Sequence, residues 1–102
     1  MIPPKGWTTD KEEISYYYCW ADNGSDSQMM AEAYCLKSPQ PIMCNTPESG
    51  DCMTMFQSGS KYYLWNPIEG TIGEIVTSMD LVDIIAEIGK PRMGSLKFAE
   101  VH

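Results

Sequence analysis

Few residues in this chain are equipped for covalent chemistry. It holds four cysteines, Cys19, Cys35, Cys44 and Cys52, and one histidine, His102. A nucleophilic serine or cysteine needs a base held against it, usually an imidazole. His102 is the last residue, and chain ends fray, so neither a Ser–His–Asp nor a Cys–His pair is expected. No Cys-x-x-Cys pair occurs, whereas structural zinc sites usually bring short paired ligands. The cysteines read as reduced thiols used as small apolar side chains. If a bridge forms, Cys44 and Cys52 are the local pair. The segment "GTIGE" fits neither nucleotide-loop spacing. Asp80, Asp83 and Glu87 would share one helical stripe that could hold a divalent cation, but a solvated helix face is the simpler account. No catalytic residue, no metal and no cofactor is assigned, and a non-enzymatic protein is expected.

The residues that stand out are aromatic. "ISYYYCWADNG" sets Tyr16, Tyr17, Tyr18 and Trp20 within five positions, and "KYYLWN" adds Tyr62, Tyr63 and Trp65. On a strand, alternate side chains share a face. Tyr16, Tyr18 and Trp20 then lie on one side of the first segment, and Tyr63 and Trp65 on one side of the second. Three readings of these five rings stay open: core, protein interface or ligand pocket. Rings dominate small cores, and they also concentrate at interface centres.

Charge narrows the partners. The chain of 102 residues carries a net charge of −7. Five acids and no base lie between Glu12 and Leu36, and five acids and no base between Tyr62 and Ile88. Nucleic-acid affinity rests on neutralised phosphates, so no nucleic-acid partner is expected. A basic protein or a cationic small molecule suits such a surface. The longest apolar runs fall far short of the ~20 residues of a membrane helix. "MIPPKGWTTD" shows no basic-then-apolar leader, so a cytoplasmic protein with no membrane contact is expected.

These residues need elements to position them. Apolar types make up 43% of the chain, enough for a globular core in one small domain. Both prolines of "IPPKG" favour an extended arm over residues 1–9. Thr9 with Glu12 offers a capping box for a single turn. Residues 14–21 read as a strand ended by Asp22-Asn23-Gly24. For residues 28–37 a helix is favoured over a returning strand, since Ser25 and Gln28 make a capping box and Met29, Met30, Ala33 and Leu36 share helical spacing. Residues 37–52, rich in proline, read as a surface loop. "CMTMFQ", "KYYLWN" and "TIGEIVT" predict an antiparallel meander. "SMDLVDIIAEIGKP" is the strongest helix signal, with Thr77 and Asp80 as capping box, Gly89 at the C-cap and Pro91 barring continuation. Ile84 and Ile85 should be buried beneath it. "SLKFAEV" reads as a last short strand.

The expected fold is therefore α+β: an antiparallel sheet of four or five strands packed by one or two helices. Tyr17 and Cys19 are expected inward, because cysteine is among the most buried residue types. Tyr16, Tyr18 and Trp20, joined by Tyr63 or Trp65, are expected to form an outer binding face. The function expected is that of a small acidic binding or accessory protein acting through this face on a basic protein. The alternative is a small-ligand binder with a ring-lined pocket for a cationic or apolar molecule. A homodimer through the same face is also expected, since exposed apolar patches of that size are normally covered. The charge distribution gives a first test: at micromolar protein and physiological salt, no salt-sensitive gel shift of duplex DNA or RNA should appear.

Overall fold

A computed structural model of the protein describes residues 2–16, 26–50 and 52–101. Six strands form one antiparallel sheet in sequence order. They are β1 (Trp7–Thr8), β2 (Gln40–Asn45), β3 (Thr54–Ser58), β4 (Lys61–Asn66), β5 (Thr71–Val76) and β6 (Lys97–Glu100). Among the described residues three α-helices accompany them: α1 (Lys11–Tyr16), α2 (Asp26–Ala33) and α3 (Leu81–Ile88). The α+β reading holds, with six strands rather than four or five.

The meander β3–β4–β5 lies where sequence pattern put it, with pairs Phe56↔Tyr63 and Trp65↔Ile72 marking its register. Alternation along these strands makes two cores. One face carries Cys44, Phe56, Tyr63 and Trp65, covered by Ile14 of α1 and Met30 of α2. The other carries Met43, Met55 and Ile75, covered by Ile84, Ile85 and Ile88 of α3. Both faces of the sheet are thus filled by helices, and β3 is buried on both sides.

Three expectations need correction. First, residues 14–16 are helical, not the start of a strand. The cap is Asp10 rather than Thr9: its Oδ1 accepts from the backbone N–H of Glu12 at 2.9 Å. Thr8 Oγ1 accepts from the N–H of Asp10 and donates to Glu13 at 2.8 Å, which pins the helix start to β1. A helix so anchored carries Ile14 into the core at 1% exposure. The remainder of the expected strand, with Tyr17, Tyr18, Cys19 and Trp20, lies outside the described residues.

Second, the proline-rich segment at 37–52 is not all loop. It contains β2, whose Met43 and Cys44 are fully buried. Pro41 is tolerated because the register with β3 shifts between Pro41 and Met43, and proline sits comfortably only at such irregularities and at edges. Third, the arm over residues 1–9 ends in structure. Trp7 and Thr8 pair with Asn45 and Cys44 as β1.

The helix at 26–33 supports the helical alternative for the Met-rich stretch, though it stops four residues short of 37. Around α3, Asp80 is the N-cap, accepting from the N–H of Asp83 at 3.0 Å. Thr77, expected as the capping-box residue with Asp80 three positions on, accepts instead from Met79 N–H. Ile84 and Ile85 are buried as expected, while Val82 keeps 66% of its surface exposed. Ile84→Ala should therefore cost about 2–5 kcal/mol in urea denaturation, and Val82→Ala no more than about 0.5 kcal/mol.

Candidate functional site

Of the five rings expected to form an open binding face, the two whose side chains are described lie in the core instead. Tyr63 and Trp65 are 6% and 5% exposed. Tyr63 stacks on Phe56 across the β3–β4 ladder, with centroids 5.0 Å apart and ring planes 12° from parallel. Ile14 and Met30 close over this cluster, and Tyr34 and Leu36 pack at its margin. The physical reason is the second layer of helix. With α1 and α2 on the ring face, Tyr63 and Trp65 are covered rather than open. Tyr16 ends α1, its side chain outside the described set, and Tyr18 and Trp20 also lie outside it.

The open apolar surface lies on the other side of the sheet. The chain's first residues run beside α3, and between them is a groove of about 470 Å³ lined by Ile2, Pro3, Pro4, Val82, Ile85 and Ala86. Hydrogen bonds fix this arm. The N–H of Trp7 donates to Pro4 O at 3.1 Å, turning the chain into β1. Gly6 O then accepts from Thr46 N–H at 2.8 Å and from Asn45 Nδ2. Asn45 is itself buried, and its Oδ1 accepts from Met53 N–H at 2.8 Å, so one side chain ties the arm to the β2–β3 connection. At its far end the arm rests on Gly89. A Cβ there would stand 2.5 Å from Pro4 Cβ, so only glycine admits this approach.

Charge rims the groove on one side. At ~100° per residue, Val82 and Ala86 share one strip of α3, with Asp83 beside it. Asp83 and Asp80 are both exposed. Ile2 and Val82 project apolar surface into solvent at 90% and 66% exposure. Sequence reasoning missed this site because it considered only the buried side of this helix, Ile84 and Ile85. The signal was present: with Leu81, Ile84, Ile85 and Ile88 facing inward, Val82 has to face away.

No family model, curated protein or solved structure matches the chain.

The remaining chemistry is structural. Among the described residues no group of three or more histidine, cysteine or acidic side chains could hold a metal ion. The Asp80/Asp83/Glu87 stripe is divided in its work. Glu87 Oε1 accepts from Lys90 Nζ at 2.6 Å, and Oε2 from the N–H of Ser95 at 2.9 Å. These two hydrogen bonds hold its carboxyl below the ordinary carboxylate value, the lysine contact contributing most. The loop they clasp needs holding. Arg92 and Met93 both sit at positive φ, 55° and 58°, which side chains rarely adopt. Gly94 follows, and a Cβ on it would collide with Glu87 Oε2. Cys35 is exposed and Cys44 buried, and no disulfide joins Cys44 to Cys52.

A carboxyl with a depressed folded-state value stabilises the fold above its unfolded value and stops doing so as pH falls through the folded one. Glu87→Gln should accordingly be less stable than the wild type at pH 7. The gap should close in acid, below the ordinary carboxylate range of about 4, when both proteins are unfolded by urea.

Proposed function

We propose that the protein is a small acidic, non-enzymatic binding or accessory protein of the cytoplasm. It acts on a basic protein partner through the groove between the N-terminal arm and α3. The observation that carries this reading is the acid-rimmed apolar strip Ile2–Val82–Ala86, set on a chain of net charge −7. Apolar side chains projecting into solvent beside carboxylates suit a cationic amphipathic segment. The apolar contacts supply affinity, and the charges steer the encounter. The hydrogen-bonded seating of the arm over residues 4–7 supports the same reading, because a preformed groove has less ordering entropy to lose on binding. The disposition of the carboxylate stripe is also consistent with a non-catalytic role: Glu87 is occupied in clasping a loop and Asp80 in capping a helix. No helix among the described residues is long and apolar enough to cross a membrane.

The test uses an amphipathic helical peptide of lysine and leucine as probe, followed by amide chemical shifts. Shifts are expected at Ile2, Val82, Asp83 and Ala86, with affinity falling as salt rises. Replacing Val82 and Asp83 together by lysine should weaken binding at least about tenfold. Shifts confined to other surfaces, or unchanged affinity in the double variant, would overturn the reading.

A further inference from the structure

The two edges of the sheet are built differently. The β1 edge is guarded. Strand β1 covers only the end of β2, but the uncovered part of β2 carries Pro41 and a register shift, and both discourage another strand from adding there. The β6 edge has neither device. Its ladder with β5 runs without a break from Val76↔Lys97 to Gly73↔Glu100. No proline interrupts it, and all four of its residues are exposed. The outer main-chain N–H and C=O groups of an edge strand are a template for one more strand.

We infer that β6 pairs antiparallel with β6 of a second copy, joining the two sheets edge to edge about a two-fold axis. This goes beyond the proposed function and uses a different surface. The occupant follows from the strand's own pattern. Phe98 and Glu100 lie on the α3 face of the sheet, and Lys97 and Ala99 on the other, because they oppose Ile75, Gly73, Val76 and Glu74 respectively. Opposed residues of antiparallel strands share a face, so a two-fold pairing that overlaps the whole strand must centre on Phe98 or on Ala99. Centring on Ala99 would set Phe98 against the partner's Glu100. Centring on Phe98 sets ring against ring and Lys97 against the partner's Ala99, with no like charges directly opposed. Phe98 is suited to this contact: it is 43% exposed, and its ring lies over Gly73, leaving the flank toward the edge open. Association ends at two copies, because the edges left outermost are the guarded ones.

So short a ladder makes a weak dimer, with a dissociation constant on the order of 0.1 mM. Each copy carries −7, so added salt should tighten it. The decisive experiment compares Ala99→Glu with Ala99→Lys by sedimentation equilibrium, since Ala99 is exposed and faces the partner's Lys97 in the inferred register. Ala99→Glu should tighten the dimer about three- to tenfold, and Ala99→Lys should loosen it by a similar factor. Net charge alone would push both changes the opposite way. Hydrogen exchange should show the amides of residues 97–100 gaining protection as concentration rises. A protein that stays monomeric into the millimolar range would overturn the inference. So would a dimer that both substitutions leave unchanged or shift in the same direction, or one that protects other amides instead.

Discussion

The structure depends on one strand being buried on both faces. In β3, Thr54, Met55 and Phe56 are all inaccessible to solvent. Phe56 must meet an apolar layer on one side and Met55 another on the other. A chain of 102 residues has little material for two layers, and it makes them from short helices. One layer is α3, eight residues long. The other is divided between α1 and α2, which lend Ile14 and Met30. Among the described residues, the large apolar side chains left in solvent include Ile2 on the arm, Val82 on the outer strip of α3 and Phe98 on β6.

The same constraint explains how the aromatic residues are used. Rings bury more area than aliphatic side chains, and on the face covered by Ile14 and Met30 the sheet supplies Phe56, Tyr63 and Trp65. On the α3 face the sheet supplies Met43, Met55 and Ile75.

How far this was legible in the sequence depended on whether the local signals agreed. From Thr54 to Gly89 they did. Short alternating runs, glycine-bearing turns and a terminal glycine all pointed one way, and strands and helix stand where they were expected, though the cap is Asp80 rather than Thr77. Around residue 14 the signals conflicted. A run of tyrosines favoured a strand, but Asp10 captured the next amides and made Ile14 helical. In β2, three prolines nearby masked a strand, because sequence alone does not reveal that Pro41 falls at a register shift. The open groove depended on both outcomes. Only when β2 and β1 are in place does the arm have partners, Asn45 and Thr46, that hold it beside α3. Tyr63 and Trp65, picked out for binding, were indistinguishable from core rings without knowledge of what lay above them.

The unequal burial of the thiols has a practical consequence. Cys35 stands at the surface just beyond α2, and Cys44 lies beneath the helical layer at no measurable exposure. An alkylating reagent therefore meets one sulfur at once and the other only when α1 or α2 lifts. The rate at which Cys44 is labelled reports how often that layer opens, with no cysteine introduced into the native sequence. The chain thus carries a reporter for its own local unfolding, with Cys35 as the internal standard for reagent.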